Sequence, residues 1–418
     1  MKYVDVILPL PLPGMFTYSV PEGMEGCVVF GKRVLVPLGK SKKYIAMVVK
    51  VHQEKPSFKV KPIEQVLDAT PTLLDRQYRL WSWISNYYMS PLGDVYNAAM
   101  PAGMKSAEKF KPRMELYVEL TSKYRNEASL HVALNMLQRA LKQSKALTTF
   151  LSLSHWDSLE NDTPREGIKK VTKEELMNEA HCTSAIVKAL IDRGLLFTYE
   201  EEVGRLNTSG QSHFEQIKPL SIVQQDAYNQ ILLQMMKKNV VLLHGVTSSG
   251  KTEVYIHLIK QALDNHKQVL YLLPEIALTV QIMERLHKVF GDRLGIYHSK
   301  YSDAERVEIW QKQMSAHPYD VILGARSAVF LPFQNLGLVV IDEEHETSFK
   351  QQDPAPRYHA RSAAIVLAGM YPDCKVLLGT ATPSMESYYN AQEGKYGLVE
   401  LKTRYKDIQL PEIQVVDV

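Results

Sequence analysis

Five stretches between residues 240 and 380 are apolar almost without interruption: VVLLHG, QVLYLLP, DVILGA, LGLVVI and KVLLGT. A strand with one wet face alternates apolar and polar residues, because successive side chains point to opposite faces. Runs without that alternation need cover on both faces, which a parallel sheet flanked by helices supplies. Longer amphipathic segments separate the runs. Residues 215–410 therefore predict a strand–helix alternation around a parallel α/β sheet. Sheets of this kind take their ligands at the carboxyl ends of the strands.

Two of those ends carry chemistry. The first run leads into Gly245, then Val246, Thr247, Ser248 and Ser249, then Gly250, Lys251 and Thr252. This is G-x-x-x-x-G-K-[ST] between a buried strand and a helix, the setting a phosphate-binding loop requires. The glycines let the backbone wrap a polyphosphate so that successive N–H groups and the helix N-terminus face its charge. Lys251 is placed to reach β- and γ-phosphates, and the Thr252 hydroxyl to ligate Mg²⁺. The fourth run ends in Asp342-Glu343-Glu344-His345. Asp342 is the expected second partner of Mg²⁺, Glu343 is placed to orient a water, and His345 to sense the nucleotide state. An Asp-Glu-x-His box points to helicase-like ATPases rather than GTPases.

The rest of the chain divides by texture. Residues 1–105 are β-rich, with VVFGKRVLVPLG and KYIAMVVKVHQ forming an antiparallel pair across GKSKK. The segment DRQYRLWSWISNYYMSPLG predicts a helix with Trp81, Ile84, Tyr87 and Tyr88 in the core. Residues 110–205 hold short helices. Thr172 with Glu175 predicts a capped helix, Ser184 starts another, Arg193-Gly194 ends it, and LLFTYEEEV forms a strand. That is a winged helix-turn-helix pattern, which serves either DNA reading or protein contact. Its wing carries Glu200, Glu201 and Glu202, which disfavours phosphate tracking. RLNTSGQSHFEQIKPLS reads as the following linker.

Charge is nearly balanced, at +3 over 418 residues, yet residues 26–53 hold no Asp or Glu among six Lys and Arg. That local bias suits a phosphate-facing surface or a solvated loop face. Three scattered cysteines, Cys27, Cys182 and Cys374, support neither a disulfide framework nor a zinc site within this chain. The opening MKYVDVILPLPLPG is short and broken by prolines, so mature protein is expected rather than a signal peptide. No stretch reaches membrane-spanning length, and a cytoplasmic location is expected.

Together these motifs resemble superfamily 2 DNA helicases, and more narrowly the PriA family of bacterial replication-restart helicases. The resemblance rests on PLPGMFTYSVPEGM, VPLGK, HGVTSSGKTEVY, LLPEIALT, YHSKYSDAER, GARSAVFLPF, IDEEHETSFKQQDPAPRYHAR and GTATPS. It implies a multidomain chain: a small β-rich domain binding a nascent 3′ end, a winged-helix domain, then a RecA-like P-loop helicase lobe. It implies ATP-dependent 3′-to-5′ unwinding at stalled forks, with single-stranded DNA, primosome proteins and single-stranded DNA-binding protein as partners, near the nucleoid.

Residue by residue, the resemblance assigns Gln224 to adenine. Pro274, Glu275 and Thr279, and then Gly324, Ala325 and Arg326, fall in segments that contact single-stranded DNA. Thr380 and Thr382 couple hydrolysis to DNA movement. Phe349, Lys350, Arg357, Tyr358, His359 and Arg361 form an aromatic-rich loop that stacks on bases or pairs with phosphates; the alternative is that Phe349 and Tyr358 pack the loop down. Phe16, Thr17, Tyr18, Gly39 and Lys61 form the 3′-end pocket.

Position 17, often acidic in the family, is Thr17 here, which predicts a weakened preference for a 3′-hydroxyl end. Residues 411–418 stand where the family begins a linker to its zinc module and second lobe. Zn²⁺ is thus expected for the full-length family, with no ligands in this chain. The competing reading is a DNA-structure and nucleotide-binding module without motor activity of its own.

Overall fold

The computed structural model describes residues 2–105, 114–125, 127–156, 169–202, 216–298 and 301–403. Most of the expected linker, two residues of YHSKYSDAER and all of 411–418 lie outside the described residues. The chain forms two compact units. Residues 1–110 and 210–418 make one, and residues 111–209 make the other.

The first region builds an antiparallel sheet from β1 (Lys2–Ile7), β2 (Phe16–Val20), β3 (Arg33–Leu38), β4 (Lys42–His52) and β5 (Gln65–Val66), in the order β2-β1-β4-β3-β5. The β3–β4 pair closes on Gly39, whose φ of +67° suits a residue without a Cβ. Val4, Val6, Val34, Val36, Ala46 and Val48 fill the core on one sheet face. Helices α1 (Asp75–Tyr87) and α2 (Leu92–Ala99) follow. Trp81 and Ile84 are fully buried as expected and Tyr88 is only half-buried, but Tyr87 is 65% exposed and is not core. It lies past the buried stripe of α1 and stacks instead on Trp83, ring centroids 4.9 Å apart.

The separate unit is a winged helix. Strand β6 (Met114–Leu120), helices α3 (Glu127–Met136) and α4 (Leu141–Leu153), strand β7 (Val171–Thr172), helices α5 (Lys173–Glu179) and α6 (Ser184–Asp192), and strand β8 (Leu196–Glu202) follow in order. The sheet runs β7-β6-β8. Thr172 Oγ1 accepts from Glu175 N at 3.0 Å and so starts α5, while the left-handed Gly194 ends α6.

The lobe alternates helix and strand: α7 (Ile222–Lys237), β9 (Val240–Gly245), α8 (Lys251–Asp264), β10 (Gln268–Leu272), α9 (Val280–Phe290), β11 (Leu294–Tyr297), α10 (Asp303–Met314), β12 (Val321–Gly324), β13 (Leu336–Asp342), α11 (Ala360–Ala368), β14 (Lys375–Thr380), α12 (Met385–Gln392) and β15 (Gly397–Leu401). All seven strands are parallel, ordered β11-β12-β10-β13-β14-β9-β15. The five apolar runs are the five inner strands. The two strands that the runs did not announce, β11 and β15, are the edges.

The first region packs directly on the lobe. Gln77 Nε2 on α1 donates to the Phe330 carbonyl at 2.8 Å, and the buried Trp310 Nε1 on α10 donates to the Thr72 carbonyl at 2.9 Å. Backbone N–H of His359 donates to the Tyr88 hydroxyl at 3.1 Å. The β-rich region and the lobe therefore share one compact unit. No described helix is long and apolar enough to cross a membrane.

Candidate nucleotide site and nucleic-acid surfaces

Strand order sets the geometry of the site. β14 lies between β9 and β13, with Thr380 level with His244 and Asp342 level with Gly379. The loop after β9, the acidic end of β13 and Thr380 thus meet at one carboxyl edge. Gly250 holds φ +80° and Ser248 φ +63°, which turn the 245–252 loop back onto α8. A Cβ on Gly250 would lie 2.2 Å from Gln224 Nε2, so this position requires glycine. Lys251 is buried with Nζ donating to the Gly245 carbonyl at 3.0 Å, and Ser249 Oγ is buried without a partner among the described residues. A glycine-lined cradle with a buried cation and an unmatched hydroxyl suits a polyphosphate.

Gln224 braces this loop. Its Oε1 accepts from Ser221 N at 2.9 Å, while Nε2 donates to the Ser249 carbonyl at 3.3 Å. It is 3% exposed, so in this arrangement its amide serves the loop backbone.

Asp342 is held by two residues that the sequence did not single out. Tyr255 on α8 donates to its Oδ1 at 2.9 Å, and Tyr271 on β10 to its Oδ2 at 3.4 Å. Both rings are fully buried, edge to face at 5.8 Å. Burial first, then the neighbouring Glu343 carboxylate, pushes the Asp342 carboxyl up to about 6. Thr252 and Asp342 are the residues that would hold Mg²⁺, which a helicase domain of this class uses to neutralise phosphate charge.

Glu343 adopts φ +48°, a costly backbone for a residue with a Cβ, and its side chain remains solvent-accessible. His345 Nδ1 lies 2.8 Å from Thr380 Oγ1 and 3.7 Å from Glu343 Oε2, and its Nε2 lies 3.4 Å from Thr382 Oγ1. Thr382 N donates to Thr380 Oγ1 at 3.0 Å. The structure thus joins Glu343, His345, Thr380 and Thr382 in one contact chain.

Glu344, between them in sequence, is completely buried. Its carboxylate accepts from Arg361 Nη1, from Ser384 N at 2.7 Å, from Ser384 Oγ at 3.0 Å and from Ser387 Oγ at 2.8 Å. A full set of donors, one of them a guanidinium, is what a buried carboxylate requires.

This arrangement corrects the expected DNA loop at three residues. Phe349 and Tyr358 are 0% and 1% exposed, with Tyr358 packed edge-on to Phe330 at 4.9 Å. Arg361 is engaged by Glu344. None of the three presents a free face, so the packed-loop alternative describes both aromatics. Burial, with the Arg361 and Lys350 charges, holds His359 down at about 4, so its ring carries no charge near neutrality. Arg357 is exposed and Lys350 is half-buried. Lys350 Nζ stands 4.8 Å over the Tyr88 ring and donates to the Arg357 carbonyl. Arg326 Nη1 braces the same loop through the Ser348 and Lys350 carbonyls, both at 3.2 Å.

In the β-rich region, Tyr18 is buried with its hydroxyl donating to the Pro37 carbonyl at 3.1 Å, and Phe16 is partly exposed. Lys61 Nζ donates to the Gly39 carbonyl, which brings those two residues together. Thr17 instead bonds to Asp5, a residue not anticipated.

Residues 5–101 match the family described as the 3′ DNA-binding domain of PriA. Residues 115–203 match the winged helix domain of PriA helicase, Bacteroidota, and residues 221–391 the DEAD/DEAH box helicase family. Replication restart protein PriA of Bacillus subtilis is 33% identical over 469 residues, covering 100% of this chain and 58% of that protein. Its Haemophilus influenzae counterpart is 35% identical over 412 residues, covering 97% and 52%. Among solved structures, DUF1998 helicase MrfA bound to DNA aligns with a TM-score of 0.33 at 21% identity, over 44% of this chain and 27% of that one. The chain spans about half the length of the curated relatives it matches.

Fold and site define a helicase lobe of the DEAD/DEAH class, joined to a β-rich region and a winged helix. The chain belongs to the PriA family of replication restart proteins.

Two consequences are measurable. A carboxyl with a raised folded pKa stabilises the fold while protonated and loses that contribution as pH rises from about 4 through about 6. Asp342→Asn is therefore expected to be more stable than the parent near pH 7.5, by about 1–3 kcal/mol, with the gap closing toward pH 4. Melting curves across that range, without nucleotide or divalent cation, check this; a constant gap contradicts it. Arg361→Met strands a buried carboxylate and should cost about 3–5 kcal/mol in urea unfolding, much of it recovered when Glu344→Gln is added.

Proposed function

We propose that this chain is the DNA-binding and first-lobe portion of an ATP-dependent 3′-to-5′ DNA helicase that recognises stalled or abandoned replication forks and initiates primosome assembly. The observation that carries the reading is the convergence of Lys251, Asp342, Glu343 and Thr380 at one edge of the parallel sheet, in a unit that also holds the β-rich region. ATP is the nucleotide and Mg²⁺ its counter-ion, with Lys251 on the phosphates and Glu343 orienting the attacking water. His345, Thr380 and Thr382 pass the nucleotide state to the DNA path. Forked DNA with a nascent 3′ end, single-stranded DNA, primosome proteins and single-stranded DNA-binding protein are the partners this reading expects. Zn²⁺ belongs to the family's zinc module; no group of three or more candidate metal ligands occurs among the described residues.

The family resemblance implies that ATP is closed between two lobes, with an arginine from the second stabilising the transferring phosphoryl group. Such an arginine is worth about 10³- to 10⁵-fold in rate. The described residues contain one such lobe. Purified residues 1–418 are accordingly expected to bind ATP weakly, bind 3′-ended or forked DNA, hydrolyse ATP near background and displace no strand. Turnover stimulated by DNA to the level of a two-lobe helicase would overturn this and assign the missing cation to this chain or a second copy. Lys251→Ala should abolish most ATP affinity while leaving DNA affinity within about twofold, because Lys251 is buried in the 245–252 loop, where this reading puts the phosphates and not DNA. Equilibrium titrations with a fluorescent ATP analogue and a labelled fork separate the two; joint loss with the fold intact would mean the sites are misassigned.

A further inference from the structure

Asp5 stands out in β1. The strand reads KYVDVI, its neighbours Val4 and Val6 are fully buried, and an acid sits between them on the opposite face. The antiparallel register puts Asp5 directly across from Thr17 on β2 and Lys50 on β4, beside a register shift at Asp5/Val6. Its Oδ1 accepts from Thr17 Oγ1 at 2.7 Å and lies 3.3 Å from His52 Nε2. No donor among the described residues reaches its Oδ2. The side chain keeps 16% of its surface open to solvent, and both of its described hydrogen-bond contacts fall on Oδ1.

The other flank of β2 is cationic. Ser19 N donates to the Lys61 carbonyl at 3.0 Å, and Ile63 N to the Ser19 carbonyl at 3.0 Å, which lays residues 61–63 along β2. Lys61 reaches Gly39 from there. Phe16 begins the strand between the two flanks. One short strand thus carries an aromatic ring, a cation on one side, and on the other a pair of oxygens able to accept hydrogen bonds.

We infer that Asp5, held by Thr17, is the specificity-determining acceptor for the free 3′-hydroxyl of a DNA strand, supplying from β1 the carboxylate that position 17 lacks. This rests on the 3′-end reading above and deepens it. Thr17 donates its only hydroxyl proton to Asp5, so both side chains face a ligand as acceptors. A sugar hydroxyl is a donor and satisfies them. A 3′-phosphate brings further negative charge and, at neutral pH, little or nothing to donate, so the carboxylate repels it. Thr17 then holds the carboxylate in place instead of weakening the site as its own residue type predicts.

The test uses the full chain and 5′-labelled partial-fork DNA ending in a 3′-hydroxyl, a 3′-deoxy or a 3′-phosphate group. The parent chain should prefer the hydroxyl end over the phosphate end by about tenfold or more, with the deoxy end between. Asp5→Asn keeps the shape and removes the charge, and should cut the discrimination against phosphate to about twofold. Moving the carboxylate back across the strand pair, in the double variant Asp5→Thr with Thr17→Asp, should restore it. That rescue excludes misfolding as the cause. A parent chain that discriminates while Asp5→Asn discriminates equally well would overturn the assignment and leave the 3′-end reading standing. A parent chain blind to all three ends would overturn both.

Discussion

A buried ionisable group governs the candidate nucleotide site. Asp342 ends a strand that is apolar on both faces, so its carboxylate is largely cut off from water. Charge in that position is expensive unless donors are fixed around it. The protein fixes them across the sheet: Tyr255 reaches from α8 over β14 to Asp342, a path open only because residue 379 is glycine. A Cβ there would stand 1.8 Å from the Tyr255 hydroxyl. Tyr271 reaches the other oxygen from β10. Two strands, β13 and β10, and helix α8 are therefore tied to one another by a single carboxylate, and the 245–252 loop runs directly into α8.

Glu344 has a comparable role on the far side of Glu343. Its carboxylate binds Arg361 at the start of α11 and Ser384 and Ser387 at the start of α12, and its backbone N–H meets the Gly379 carbonyl at 3.2 Å. The strained Glu343 sits between these two anchored acids. Its left-handed backbone is sustained because the residues before and after it are each locked by buried hydrogen bonds, which leaves its own side chain toward solvent.

What the sequence revealed follows from where each signal originates. The inner strands were legible because burial on both faces removes alternation, whereas β11 and β15 lie at the edges, and β15 carries the charged Glu400. The phosphate-binding loop was legible because its glycines answer a backbone demand that no other residue meets at Gly250. Tyr255 and Tyr271 were not, because a tyrosine in QVLYL or KTEVYIHL has the same pattern as a core aromatic; only the strand order reveals the carboxylate above them. Phe349 and Tyr358 carried two readings, and their burial, with Phe330 packed on Tyr358, favours the packed one. Asp5 did leave a trace, an acid inside a strand otherwise paired with apolar neighbours, but its meaning required the register that sets it against Thr17.

The joint between the β-rich region and the lobe is built from polar contacts within an apolar seam. Gln77 and Trp310 each give one buried donor to a backbone carbonyl across the joint, so separating the two would leave unsatisfied groups on both sides. Tyr88 meets the lobe at the loop that follows Asp342-Glu343-Glu344-His345, accepting from His359 N while Lys350 lies over its ring. His359 is two residues from Arg361, and Arg361 is bonded to Glu344, the neighbour of Glu343. A run of contacts therefore leads from the region matched to the 3′ DNA-binding family to Glu344 and its strained neighbour Glu343. The end of α1 is thus joined through one hydrogen bond to His359, the residue that precedes α11, whose first turn holds Glu344.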